Sequence, residues 1–193
     1  MLDTNGRKFA DLSINTVAKA CIKMKLTANN VTLIALIIGV ISSVLIYFGY
    51  NIIAVLVLWG SGLLDSVDGA IARLSKTSSL FGTLMDITFD RIVEISIIVS
   101  LGLLHRESLF SLMLLACSII ISMTIFLTVG ALSENNGKKT FRYQAGLIER
   151  TEAFIFFSLM ILLPTYLTVI TITFAVLIFI TAIQRFYEAS KIL

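Results

Sequence analysis

Polar positions are few in this chain and they are bunched. Six long apolar stretches, at about 31–50, 52–72, 83–104, 109–131, 150–164 and 166–187, are separated by short polar breaks. A helix that crosses a bilayer takes roughly 20 mostly apolar residues, so the pattern predicts six crossings, the fifth being the shortest. Ahead of them, 9–25 reads FADLSINTVAKACIKMK. Phe9, Leu12, Val17, Cys21 and Met24 recur there at roughly helical spacing, with Lys8, Asp11, Lys19, Lys23 and Lys25 largely elsewhere. That spacing predicts an amphipathic helix lying along the membrane interface. LTANNVT at 26–32 then places Thr27, Asn29 and Asn30, all helix-capping types, just before the first apolar run. The expected fold is an all-α membrane protein with one domain over 1–193. Residues 1–28 hold the cytoplasmic interfacial helix, and 29–193 form a six-helix transmembrane core.

Composition narrows the class. Of 193 residues, 58% are hydrophobic and only 14% charged, whereas soluble domains carry about a quarter charged residues. The first 30 residues are polar and basic with no early apolar run, so no cleavable signal peptide is expected. Basic residues set the orientation. Arg7, Lys8, Lys19, Lys23 and Lys25 precede the first crossing; Arg73 and Lys76 follow the second; Lys138, Lys139, Arg142 and Arg150 follow the fourth; Arg185 and Lys191 close the chain. The opposite tips, FGYN and LPTY, carry none, and HRES carries only Arg106. Both termini are therefore expected in the cytoplasm. The net charge of +3 suits an anionic lipid surface and gives no reason to invoke nucleic acid. Cys21 and Cys117 are spaced for neither a metal site nor a disulfide. His105 lies on the external tip, away from the acids.

Against that background one window stands out: DSVDGAIARLSKTSSLFGTLMDITFD, residues 65–90. Four of the six aspartates of the chain lie in it, although carboxylates within a membrane are costly and mark functional sites. Asp65 and Asp68 are spaced i,i+3, and Asp86 and Asp90 i,i+4, so each pair shares a helix face. At a rise of about 1.5 Å per residue, Asp68 and Asp65 lie roughly 7 and 12 Å below Arg73, and Asp86 and Asp90 roughly 6 and 12 Å below Gly82. The pairs are therefore expected at matched depth near the cytoplasmic side. Facing carboxylates cannot all stay ionised without cations. An oxygen-only donor set points to a hard divalent ion, Mg²⁺, with Mn²⁺ or Ca²⁺ as alternatives. Two such ions suit transfer at a phosphorus centre. Gly69 and Ala72 leave room for a flat or bulky group beside the backbone, and Arg73 is placed to meet a phosphate. An ion-pair network is the bland reading, but Arg73 and Arg91 cannot balance four aspartates. Glu94 is expected to pair with Arg91.

The set Asp65-x2-Asp68-Gly69-x2-Ala72-Arg73-x8-Gly82-x3-Asp86-x3-Asp90 resembles, at every position and gap, the signature of the CDP-alcohol phosphotransferase family. Six crossings and an interfacial N-terminal helix agree with that family, so the resemblance covers nearly the whole chain. It implies transfer of a phosphatidyl-type group from a CDP-alcohol such as CDP-diacylglycerol to an acceptor hydroxyl, with release of CMP, in phospholipid biosynthesis. It implies that Asp65, Asp68 and Asp86 hold two Mg²⁺ ions, with Asp90 helping to ligate the second and acting as the general base. It further implies that Gly69, Ala72, Arg73, Ser79 and Gly82 surround the CDP-alcohol, with Asn29 and Thr32 contributing from the stretch before the first crossing. A homodimer is implied as well.

GLIERTE at 146–152 and IQRF at 183–186 resemble the phosphatidylinositol-phosphate synthase branch, which implies acceptor contacts from Arg150 and Arg185 and inositol phosphate as the acceptor. Two departures from that branch are Ala153 and Gly130, where basic residues are usual; Lys138, Lys139 and Arg142 are candidates to supply the charge. Glycerol phosphate, serine or another polar alcohol is the alternative acceptor, and pairing with Glu149 and Glu188 is the alternative role for the two arginines. The rival class is an ion-coupled transporter. Its pathway would need acids distributed across the bilayer, and here all four gather near one face.

Overall fold

A computed structural model describes residues 14–135 and 146–191. Phe9, Leu12, Lys8 and Asp11 of the N-terminal segment, and Lys138, Lys139 and Arg142, lie outside the described residues. Every regular element among the described residues is helical. Helix α1 covers 14–23. It is followed by α2 (Ala28–Tyr47), α3 (Asn51–Ser75), α4 (Leu80–Leu104), α5 (Leu109–Asn135), α6 (Arg150–Leu162) and α7 (Leu167–Ala189). Single 3₁₀ turns at Arg106–Ser108 and Pro164–Tyr166 lead into α5 and α7. The six apolar stretches of the sequence thus correspond to α2–α7. By length and composition four of the segments are able to cross a membrane: Ala28–Tyr47, Asn51–Ser75, Arg106–Leu132 and Pro164–Ala189. Of the other two, α4 is long enough but carries Asp86, Asp90, Arg91 and Glu94, and α6 has only 13 residues.

The chain divides into two compact units, one within Asn5–Leu104 and the other within His105–Leu193. In the first, α2 packs against both α3 and α4, which make little direct contact with each other along their lengths. In an apolar surround the packing has to come from close approach and hydrogen bonds, since lipid tails offer as much hydrophobic contact as another helix does. Small residues supply both. A Cβ on Gly39 would sit 2.5 Å from Val93 Cγ2 and 2.9 Å from Ser61 Oγ, so α2 lies close to both α3 and α4 where it has no side chain. Ser61 Oγ donates to the Ala35 carbonyl at 2.7 Å, Ser42 Oγ to Ala54 at 2.8 Å, and Ser100 Oγ to Ser43 at 2.9 Å. Each serine ties two helices together through a backbone oxygen.

Helix α1 docks through Ile14, Ala18 and Cys21 onto a cluster containing Val31, Val67, Ala70 and Ile71. Val17 and Met24 lie off this docked face and stay exposed on the protein. The tight position is taken by Ala18, fully buried, whose small side chain lets α1 lie close against α3.

In the second unit α7 packs mainly on α5 and also holds α6. The Phe174 ring is stacked on Phe156 at 4.7 Å and set edge-on to Phe157 at 5.4 Å. At the end nearest the chain reversal, Ser108 and Thr168 share a hydroxyl hydrogen bond of 2.8 Å.

Candidate functional site

The site in the first unit is built where α2, α3 and α4 share one end. Thr27 caps α2 by accepting from the Asn30 amide at 3.3 Å. Ser79 caps α4 by accepting from the Gly82 amide at 3.0 Å. Two long helices therefore start side by side, and Asn29 lies beside both Ser79 and Gly82: a Cβ on Gly82 would meet Ser79 Oγ at 3.1 Å and Asn29 Oδ1 at 3.4 Å. Thr32 is buried and returns its hydroxyl to the Ala28 carbonyl at 2.9 Å, so its visible role here is within α2.

One turn past Gly82, Asp86 reaches the acids of α3. Oxygens of Asp65, Asp68 and Asp86 all lie within 4.8 Å of one another, with the first two buried and Asp86 half-buried. Oxygens bound to one Mg²⁺ at about 2.1 Å are at most about 4.2 Å apart, so small side-chain adjustments close this set on a cation. The donors are all hard oxygens, which fits Mg²⁺ or Mn²⁺ and argues against a soft metal. Asp90, half-buried one turn further along α4, is not part of the three-carboxylate group. Arg73 is exposed, and its guanidinium folds back over Gly69, where an added Cβ would meet Nη1 at 3.3 Å. Ala72, half-buried, gives its carbonyl to the Thr77 amide at the end of α3. Arg91 pairs with Glu94 at 2.7 Å, as the sequence suggests.

The second candidate cluster lies in the other unit. Arg185 is buried, donates from Nη1 to Ser122 Oγ at 3.1 Å, and stands 5.0 Å from the centre of the Phe126 ring. Arg150, at the start of α6, lies 5.8 Å over Phe154. The approach to α6 is pinned to α7 one turn from Arg185: the Ile148 amide donates to Thr181 Oγ1 at 3.1 Å, and a Cβ on Gly146 would collide with Thr181 Cγ2. Glycine at 146 is what lets this segment lie flat on α7. Gly130, where the sequence lacks an expected cation, is buried on α5. Sequence reasoning did not find Ser122 or Phe126, since a serine and a phenylalanine in an apolar run carry no distinctive spacing; Gly146 opens the GLIERTE stretch, but its packing against α7 shows only in the structure.

A model of the family described as CDP-alcohol phosphatidyltransferase matches residues 25–183. Archaetidylinositol phosphate synthase of Pyrococcus horikoshii is 31% identical over 180 residues, covering 92% of this chain and 91% of that one. Phosphatidylinositol phosphate synthase of Corynebacterium glutamicum is 29% identical over 157 residues, covering 80% and 71%. In fold, the chain is similar to crystal structures of the Mycobacterium tuberculosis phosphatidylinositol phosphate synthase. The form with manganese and citrate has a TM-score of 0.72 at 24% identity, covering 92% of this chain and 88% of that one. The form with bound CDP-diacylglycerol gives 0.72 at 24%, covering 91% and 92%.

Proposed function

The chain belongs to the CDP-alcohol phosphatidyltransferase family, and from that premise we propose that it transfers a phosphatidyl group from CDP-diacylglycerol to the hydroxyl of inositol phosphate, releasing CMP. The observation that carries the reading is the meeting of Asp65, Asp68 and Asp86 within 4.8 Å, on two helices that each bring half of the family's motif. Asp65, Asp68 and Asp86 would hold divalent ions, Mg²⁺ or Mn²⁺, with Asp90 reaching the second. Bound there, the ions would neutralise the diphosphate and stabilise the departing phosphate.

The acceptor oxygen attacks the phosphorus that bears the diacylglycerol. The P–O bond to CMP breaks, CMP leaves as the anion, and the acceptor proton passes to an Asp90 carboxylate oxygen. Gly69 and Gly82 keep the helix backbones open to the nucleotide, with Asn29, Thr32, Ala72 and Ser79 around it and Arg73 facing its phosphates. Arg185 and Arg150 recognise the acceptor, Arg185 held in orientation by Ser122 and the Phe126 ring. All six helices α2–α7 span the bilayer in this reading, α1 lies at the interface, and the carboxylates open to the cytoplasm together with both termini. The functional form is a homodimer.

CMP release by the purified protein with CDP-diacylglycerol and Mg²⁺, acceptor by acceptor, tests the proposal. Inositol phosphate should give metal-dependent CMP that Asp90→Asn abolishes. CMP with serine or glycerol phosphate alone would reject the acceptor, and no CMP with any alcohol would reject the reaction.

A further inference from the structure

Among the described residues, Lys25 (φ 59°) and Lys76 (φ 54°) are the only non-glycine residues with positive φ. Each closes a helix in the same way. The Lys25 amide bonds to Ile22 O and the Leu26 amide to Cys21 O at the end of α1; the Lys76 amide bonds to Arg73 O and the Thr77 amide to Ala72 O at the end of α3. Glycine is the usual occupant of that left-handed position, because there a Cβ crowds the following carbonyl oxygen. The capping geometry alone would be served better by glycine. Attraction to an anionic membrane would be served as well by lysine at any exposed, unstrained position.

The two strained positions share one further property. They flank a single cavity of about 260 Å³. Lys25 lines it with Thr27 and Asn29, and Ser75, Thr77 and Ser79 line it from either side of Lys76. No carboxylate is among its lining residues. Asn29 and Ser79 are also the groups beside Gly82, one turn from Asp86. The cavity thus has a mixed wall, with Ile22, Leu26, Ala28 and Ile71 beside the hydroxyl and amide residues, Lys25 in its lining and Lys76 between two lining residues, next to the carboxylate cluster.

We propose that Lys25 and Lys76 select the donor, forming a cationic rim that draws the anionic nucleotide head of the CDP-alcohol into this cavity. The inference rests on the transferase reading above. Attraction between exposed charges extends about a Debye length, ~8–10 Å at moderate salt, so the rim acts on capture of the donor and weakens as salt rises.

The test compares wild type with Lys25→Gly/Lys76→Gly in nonionic detergent, reading CMP release. Glycine fits both backbones, so the melting temperature should stay or rise. Meanwhile kcat/KM for CDP-diacylglycerol should fall about tenfold at low salt, the deficit should shrink with added NaCl, and the acceptor KM should not move. Lys25→Arg/Lys76→Arg should restore wild-type kcat/KM. If the glycine pair melts lower, Lys25→Asn/Lys76→Asn, which tolerates the left-handed conformation without charge, is read for the same deficit. An unchanged kcat/KM in the uncharged variants overturns the proposal. So does a deficit seen only in vesicles containing anionic lipid, which would assign the lysines to the membrane surface. Wild-type protein that releases no CMP from CDP-diacylglycerol rejects the parent reading instead.

Discussion

Neutralising Asp86 should separate what the carboxylate cluster costs the fold from what it does. Two unit charges 4.8 Å apart repel by about 3.5 kcal/mol at an effective dielectric constant of about 20, so three mutual pairs approach about 10 kcal/mol when all are ionised. That rivals the roughly 5–15 kcal/mol stability of a whole protein. Asp86→Asn removes two of the three pairs, about 7 kcal/mol at most by the same estimate. In EDTA the variant should therefore melt above wild type. In Mg²⁺ the order should reverse. Wild type gains about 2.7 kcal/mol when the ion is at 100 times its Kd, which is about 5–10 °C for a chain of this size, and the variant gains little. Melting is followed by emission from Trp59, the one tryptophan of the chain, with CMP release measured on the same samples. A variant that keeps the wild-type Mg²⁺ shift and activity would refute the reasoning. One that melts below wild type in EDTA would show Asp86 to be a structural partner.

Further outcomes follow from close contacts. Gly39→Ala should cost about 1–3 kcal/mol by overpacking, read as a lower melting temperature, and Val93→Ala in the same chain should recover part of it. Arg185→Lys keeps the charge but loses the planar fork held between Ser122 and Phe126. It should raise the acceptor KM about tenfold (about 1.4 kcal/mol) and leave the CDP-diacylglycerol KM alone. Thr181→Val removes the hydrogen bond from Ile148 at a cost of about 1 kcal/mol, and should shift the acceptor KM without touching metal-dependent stabilisation. Gly69→Ala meets only the mobile end of Arg73, so it should fold normally and lose affinity for the donor alone.

The acids were legible in the sequence because hydrocarbon makes them conspicuous: Asp65, Asp68 and Asp86 interrupt runs where any charge is expensive, and helical spacing brings them to common faces. The long apolar runs likewise announce α2–α7. What did not show was the packing. The docked face of α1 turns on Ala18, a residue too small to weigh in a hydrophobic pattern. Gly39, Ser61 and Ser100 look neutral in sequence, yet close approach and hydroxyl-to-carbonyl bonds between helices depend on them. The same holds for Ser122 and Phe126, whose role exists only once α7 presents Arg185. Nor does any residue pattern reveal that Lys25 and Lys76 take left-handed backbones, since their cause lies in how α1 and α3 end.

The charges of α4 also bear on how the chain is made. On the scale of cellular insertion, each Asp or Arg at a helix centre adds about 2.5–3.5 kcal/mol. Helix α4 carries Asp86, Asp90, Arg91 and Glu94, eased in part by the 2.7 Å Arg91–Glu94 bridge. In the six-crossing reading proposed above, a helix so burdened partitions poorly from the translocon on its own. It has to leave together with α2 and α3, which already offer it the Ser43 carbonyl, the Gly39 gap and opposing polar groups. In that reading, biogenesis of the first unit is a concerted event in which the early helices act as chaperone for the later one, and the acids retained for chemistry set the order of assembly.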